Sequence, residues 1–233
     1  MPMTDTLILI PGLLCDARVW RDQVTALQSR IDIAVADITL DDQIDVMAER
    51  ILREAPPYFA LAGHSLGGRV AQEVYRQAPE RVTRLGLIST GRRGVRPGEV
   101  ERRNELLEAA KRDGVSAIAE LMLAPAMHPE KQKDPALVAD LRAMLERQGI
   151  DVLKRQFHAM LTRRDQTDLL STIRCPTLVA CGRHDPYSPL DRHEHMCTRI
   201  PGSTLAIIEN AGHMAPMEEP EQVTQALARW LGV

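Results

Sequence analysis

The chain has 233 residues, of which 44% are hydrophobic and 26% charged, and this balance predicts one large globular domain. A formal net charge of −3 and an aromatic content of 3% argue against nucleic acid or an anionic membrane as a partner. The four cysteines include no CxxC pair, and no apolar run has the length of a signal peptide core or a membrane span, so we expect a cytoplasmic protein with reduced thiols.

Short apolar runs alternate with helical patterns in the first part of the chain. Pro11-Gly12 stops the first run, Pro56-Pro57 ends the second helical pattern, and the third run leads into a glycine-rich turn. The predicted strands cover 6–10, 31–36, 58–62 and 85–89, and the predicted helices cover 16–29, 43–54 and about 66–77. The strands are almost continuously apolar, which is typical of a parallel sheet covered on both faces.

The stretch 92–171 breaks this alternation. It contains no clear strand, and apolar residues at helical spacing, Leu121 among them, predict about four amphipathic helices. The alternation resumes with strands at 177–181 and 204–208 and helices at 190–199 and 219–231. We therefore predict an α/β core formed by 1–91 and 172–233, with a sheet of about six mostly parallel strands and helices on both faces, and a helical cap at 92–171.

A GxSxG turn at 63–67 has Ser65 at its centre. The turn follows a predicted strand and opens a predicted helix, which is the context in which such a serine becomes an exposed nucleophile on a strained backbone. Glycine suits the two outer positions because they crowd the turn. The helix N-terminus favours negative charge, so the N–H of Leu66 is a candidate oxyanion donor.

Two further residues follow strand ends in the order that an acyl-transfer triad on this type of sheet requires. His213 comes after the last predicted strand and Asp185 after the one before it, so the chain order is serine, aspartate, histidine. We predict Ser65 as nucleophile, His213 as base and Asp185 as the acid that orients the base.

Other polar residues could compete for these roles. His184 precedes Asp185, but His213 is better placed at its strand end, and Asp165 and Asp168 precede a strand instead of following one. His64 adjoins the nucleophile, where neighbouring side chains point apart, so we interpret it as a packing or pocket residue.

The remaining histidines do not indicate a metal site. His193 and His195 lie two apart on a predicted helix and cannot share a face, so we interpret them as solvated. His128 and His158 fall in the predicted cap, where pocket and surface positions are equally open. We expect neither a metal nor an organic cofactor.

Five segments carry a resemblance to a known family: ILIPGLL at 8–14, GHSLGGRVAQ at 63–72, GRHD at 182–185, GH at 212–213 and MEEP at 217–220. Over nearly the whole chain the sequence resembles the α/β-hydrolase superfamily, and within it small esterases and lactonases of the 3-oxoadipate enol-lactonase and pimeloyl-carrier-protein methyl esterase kinds. The resemblance implies that the N–H of Leu13 is the second oxyanion donor.

The sequence departs from this family in two places. Members usually have His-Gly where this chain has Pro11-Gly12, so the loop before Leu13 must be braced differently. Only five residues precede the first predicted strand, whereas many members begin with a β-hairpin, so we expect a sheet trimmed to about six strands.

The predicted cap would select the substrate. Met122, Met127 and Met160 could form an adaptable apolar pocket, although for any one of them a place in the cap core is the more common role. Arg92 could meet a substrate carboxylate, or it could form a solvated pair with Arg93. We expect a small-molecule substrate, a carboxylic ester, thioester or lactone. The alternatives are a carbon–carbon bond hydrolase of the same fold and a non-catalytic ligand-binding protein. The oligomeric state stays open.

Overall fold

The computed structural model describes residues 6–233, and the N-terminal expectations that involve residues 1–5 lie outside them. Six strands form one parallel sheet with the spatial order β2-β1-β3-β4-β5-β6. They are β1 (Thr6–Ile10), β2 (Asp32–Val35), β3 (Phe59–His64), β4 (Val82–Ile88), β5 (Thr177–Gly182) and β6 (Thr204–Ile208). The prediction of an α/β fold with about six strands is confirmed.

Nine α-helices connect and flank the strands within residues 6–233. They are α1 (Arg21–Leu27), α2 (Ile44–Glu54), α3 (Leu66–Gln77), α4 (Glu99–Asp113), α5 (Val115–Ala126), α6 (Pro135–Thr162), α7 (Leu190–Arg199), α8 (Ala215–Glu218) and α9 (Pro220–Leu231). None of them combines the length and apolarity needed to cross a membrane.

Both faces of the sheet are buried, as the apolar strands require. Leu7 and Leu9 of β1 belong to one core cluster, whereas Ile8 and Ile10 belong to the other. Because successive side chains of a strand point to opposite faces, this division places one core on each side of the sheet. The carboxyl ends of β3, β5 and β6 lie at one edge, where the following loops can meet.

Helices α4, α5 and α6 lie between β4 and β5 in the chain, and we call them the cap. Gly149 has φ 73° and interrupts α6, so the cap contains four helical segments. Two local predictions are wrong. Strand β4 begins at Val82 instead of Leu85, because its pairing with β3 continues through the polar residues before Leu85. Leu121 is 60% exposed, because α5 turns Ile118 and Leu123 inward instead.

Candidate active site

Ser65 occupies a sharp turn between β3 and α3. Its φ is 54°, in the left-handed region that residues other than glycine rarely adopt. A Cβ atom at Gly63 would lie 2.1 Å from the Gly67 carbonyl oxygen, and one at Gly67 would lie 2.3 Å from the Ile10 carbonyl oxygen. The two glycines are therefore required sterically, and the turn that they allow holds the serine at the end of β3.

The structure brings the three predicted reactive residues together. Nε2 of His213 lies 2.9 Å from Oγ of Ser65, and its Nδ1 lies 2.8 Å from Oδ2 of Asp185. Asp185 follows β5 and His213 follows β6, so adjacent strand ends supply the acid and the base. With Nδ1–H donating to the carboxylate, Nε2 is free to accept the serine proton.

The surroundings of Asp185 keep it ionised. Its side chain is buried, and Oδ1 accepts hydrogen bonds from the backbone N–H groups of Tyr187 and Ser188, each at 2.9 Å. Burial alone would raise the pKa of Asp185, but His213 and the backbone donors outweigh it, and the pKa lies below its usual range. A charged carboxylate is the form that can orient and stabilise an imidazolium.

His64 supports His213 from the opposite side. Its Nε2 lies 2.8 Å from the carbonyl oxygen of His213, so Nε2–H donates to that oxygen. Burial, followed by the proximity of His213, lowers the pKa of His64 to about 3, which keeps the ring neutral. His64 also lines the cavity beside Ser65 and packs edge-on against Trp20, so it has both of its predicted roles, packing and pocket wall.

Two backbone donors face the same cavity. Within residues 6–233, the N–H groups of Leu13 and Leu66 donate no hydrogen bond. Both residues line the cavity with Ser65, and Leu66 begins α3. Free N–H groups beside a nucleophile are the arrangement that stabilises an oxyanion.

Gln156 of the cap braces the loop that carries Leu13, and the sequence reasoning did not identify it. Its Oε1 accepts a hydrogen bond from Leu14 N–H at 2.7 Å, and its Nε2 donates to the Ile38 carbonyl oxygen at 3.3 Å. Leu14 itself has φ 54°. Gln156 is fully buried, and a polar residue among the apolar positions of a cap helix was the available signal. This contact braces the loop that begins with Pro11, where family members usually have histidine.

Glu218 fastens the His213 loop to the cap. Its carboxylate accepts hydrogen bonds from Gly212 N–H at 3.1 Å, Met214 N–H at 2.9 Å and His128 N–H at 2.6 Å. In addition, His213 N–H donates to the Ala126 carbonyl oxygen at 2.6 Å. The end of α5 and the loop after β6 therefore form one hydrogen-bonded unit.

A cavity of about 240 Å³ opens beside Ser65, between the sheet edge and the cap. Met122 and Met160 line it, as predicted. Met127 does not: it follows the last residue of α5 in an extended conformation that turns its side chain into the apolar core. Cys15 lines the cavity as well, but burial and the adjacent Asp16 raise the pKa of its thiol to about 12, so it stays protonated.

Arg92 and Arg93 occupy different environments in the structure. Arg92 lines the cavity and is only 3% exposed, and its Nε has no hydrogen-bond partner in the described part of the chain. Arg93 is exposed at the cavity mouth. The alternative of a solvated pair is therefore wrong for Arg92, because the loop after β4 turns its side chain inward.

The competing residues lie elsewhere. His184 is exposed, and its ring contacts His128 at a centroid distance of 4.5 Å outside the cavity. His158, Asp165 and Asp168 are exposed. The expectation that His193 is solvated is wrong, because α7 packs it inward.

His193 is held there by the backbone: its Nε2 accepts a hydrogen bond from Thr90 N–H at 3.2 Å. In residues 6–233 no cluster of three or more His, Cys, Asp or Glu side chains is placed to hold a metal ion.

Comparison with known proteins agrees with this geometry. The model of the alpha/beta hydrolase family matches residues 7–226. This chain belongs to that family.

Among its alpha/beta hydrolase relatives is a Rhizobium rhizogenes protein named as a carbamate hydrolase, 29% identical over 99% of this chain and 94% of that protein. A pimeloyl-[acyl-carrier protein] methyl ester esterase from Nitrosomonas europaea is 28% identical over 93% of this chain and 91% of that enzyme. The structure of a thermophilic esterase from Thermogutta terrifontis, with malate bound, superposes with a TM-score of 0.89 at 30% identity, covering 97% of this chain and 89% of that one.

Proposed function

We propose that this protein is a serine hydrolase that cleaves a small carboxylic ester, thioester or lactone through an acyl-enzyme intermediate. The hydrogen-bonded series from Ser65 through His213 to Asp185, at 2.9 and 2.8 Å, is the observation that carries the proposal. Such a series activates a serine that is otherwise a weak nucleophile.

In the first half-reaction, Oγ of Ser65 attacks the carbonyl carbon of the substrate while Nε2 of His213 takes the hydroxyl proton. The carbonyl oxygen becomes an oxyanion, which the N–H groups of Leu13 and Leu66 stabilise. The bond between the carbonyl carbon and the alcohol or thiol then breaks, and His213 returns the proton to the leaving group. Asp185 stabilises the transient imidazolium.

In the second half-reaction, His213 removes a proton from water, and the resulting hydroxide attacks the acyl carbon. The ester bond to Ser65 breaks, the carboxylic acid is released, and His213 gives the proton back to Oγ of Ser65. With a lactone, the alcohol stays attached to the acid, and the product is a hydroxy acid.

The size of the site and the names of the relatives support a small substrate. A cavity of about 240 Å³ accommodates a compact acyl group. Two of the relatives described above are named as esterases. The protein has four free cysteines, which suits a reducing compartment, so we place this activity in the cytoplasm.

The direct test is hydrolysis of p-nitrophenyl butyrate with detection of the intermediate. We expect a burst of nitrophenol equal to the enzyme concentration and a butyryl adduct that maps to Ser65 by mass spectrometry. Ser65→Ala should remove both, while Ser89→Ala, a change of the same size at another cavity residue, should keep the adduct. Hydrolysis that survives in Ser65→Ala would refute the mechanism. If the enzyme is inert toward esters and cleaves a vinylogous diketone instead, it is a carbon–carbon bond hydrolase.

A further inference from the structure

The cavity beside Ser65 is strongly basic, although the chain as a whole is acidic. Among residues 6–233, eight arginines line it, against a single acidic residue, Glu99. The full sequence has 29 basic and 32 acidic residues, so the composition does not account for this imbalance. Positive charge is therefore concentrated around the cavity that contains the proposed nucleophile.

Most of this charge is not neutralised by the protein. Arg103 and Arg163 both pair with Glu99, at 3.1 and 2.6 Å. The guanidinium groups of the other six cavity arginines have no carboxylate within 4.0 Å in residues 6–233. Exposed guanidinium groups at the mouth can rely on water, but buried ones need an anionic or hydrogen-bonding partner.

Buried Arg92 lacks any such partner, and half-buried Arg69 lacks an anionic one. Arg92 is 3% exposed and makes no side-chain hydrogen bond to the described part of the chain. The side chain of Arg69 donates only to a neutral group, the Arg93 carbonyl oxygen at 2.8 Å. Burial lowers the pKa of both, that of Arg69 to about 9. Asp165 stands nearby but accepts hydrogen bonds from Gly94 and Thr167 N–H groups instead.

The segments that carry both arginines contact the turn between β3 and α3 that holds Ser65. Arg69 lies in the first turn of α3, and its N–H donates to the Ser65 carbonyl oxygen at 3.4 Å. Thr90, two residues before Arg92, donates from Oγ1 to the same oxygen at 2.6 Å. The backbone segments that carry the two arginines are therefore held against the turn that carries Ser65.

We propose that Arg92, with Arg69, binds a small oxyanionic group on the substrate, so that the enzyme selects esters or lactones that carry a carboxylate or phosphate away from the scissile bond. A compact half-ester of a dicarboxylic acid fits both the charge and the volume of the cavity. The proposal rests on the proposed ester hydrolysis for the identity of the reaction, but the anion site itself does not depend on it.

Binding can be measured without catalysis. In Ser65→Ala protein, calorimetry with glutarate and with inorganic phosphate should detect the ion that matches the site, and the tighter of the two identifies the group. Adding Arg92→Gln should weaken that binding by about tenfold or more. Arg30→Gln, which removes the same charge from an exposed residue outside the cavity, should leave it unchanged. The proposal would be overturned if neither glutarate nor phosphate binds to the Ser65→Ala protein. It would also be overturned if the protein that carries Arg92→Gln in addition binds the ion as tightly.

Kinetics supply the second readout. For the wild-type enzyme, kcat/KM for mono-p-nitrophenyl glutarate should exceed that for p-nitrophenyl pentanoate, and Arg92→Gln should reduce this ratio by about tenfold or more. Arg69→Gln serves as the second variant if Arg92→Gln does not fold. The anion site alone is refuted if hydrolysis depends on Ser65 but shows no preference for the glutarate ester over the pentanoate ester. In that case the ratio of the two kcat/KM values is also unchanged in the arginine variants. No Ser65-dependent hydrolysis of either ester refutes the proposed function, while the calorimetry still decides the site.

Discussion

At the scale of single residues, side chains of the same or similar type differ in reactivity because their surroundings differ. His213 reaches Ser65 and Asp185, whereas its neighbour in space, His64, is enclosed and held neutral. Ser65 and Cys15 line the same cavity, but the thiol is buried and protonated. The sequence predicts that Ser65, Asp185 and His213 meet because each follows the end of a strand in a local motif.

The neutral ring of His64 leads to a test of its positioning role. Replacing it with leucine removes the donor to the His213 carbonyl oxygen, so we expect kcat to fall by about tenfold with a smaller change in KM. Since the pKa of His64 is about 3, the pH profile of the activity between about pH 5 and 9 should keep its shape in the variant.

His64→Gln provides the control, because glutamine can also donate to that carbonyl oxygen. We expect it to recover part of the lost kcat. If the leucine variant keeps full kcat, or if its pH profile shifts, then His64 does not act by holding His213.

At the scale of elements, the cap does more than cover the cavity. Helix α6 holds the loop that carries Leu13 through Gln156, and the end of α5 holds the His213 loop through Ala126 and through Glu218. The sequence predicts the helices of the cap from their periodicity, but not these contacts. Gln156 and Leu14 are separated by 142 positions, and no local pattern reports such a pairing.

The contact between Gln156 of α6 and the loop that carries Leu13 can be tested by substitution. Gln156→Met keeps the size of the side chain but leaves Leu14 N–H without an acceptor, so we expect kcat to fall by about tenfold while KM changes less. Gln148→Met, on the same helix, removes only a partly buried contact to Asp16 and should retain kcat. Equal kcat values in the two variants would contradict a role for Gln156 in the oxyanion loop.

At the scale of the whole molecule, the distribution of charge is the feature that could not be predicted from the sequence. The net charge of −3 gives no sign of a cavity lined by eight arginines, because residues from several separate segments form it. The sheet was predictable, since continuous apolar strands and glycine-rich turns are local signals. The positions of Met127 and His193 were not, because each depends on which face the surrounding fold leaves open.

Acid stability should depend on Glu99, the single acidic residue among the described residues that line that cavity. Burial opposes its ionisation, but Arg163 and Arg103 outweigh this and lower its pKa from 4.5 to about 2. A depressed carboxyl pKa stabilises the fold above the unfolded value, so the contribution of roughly 1–3 kcal/mol should be complete at neutral pH and be lost as pH falls from 4.5 toward 2.

Thermal unfolding of Glu99→Gln measures this effect. The variant should have a lower Tm than the wild type near neutral pH, and the gap should narrow below pH 4.5. Glu101→Gln, an exposed change in the same helical turn, should have the wild-type Tm throughout. A gap that stays constant with pH would mean that Glu99 contributes by packing and not by charge.

Labelling with a fluorophosphonate is the decisive experiment for the activation of Ser65 by His213. The reagent phosphonylates only an activated serine, and peptide mass mapping locates the adduct. We predict a single adduct on Ser65 in the wild type, with labelling abolished in folded His213→Ala protein. Folded wild-type protein that takes up no label at Ser65, or a His213→Ala protein that is labelled as fast as the wild type, would contradict the account and favour a ligand-binding protein with a hydrolase fold.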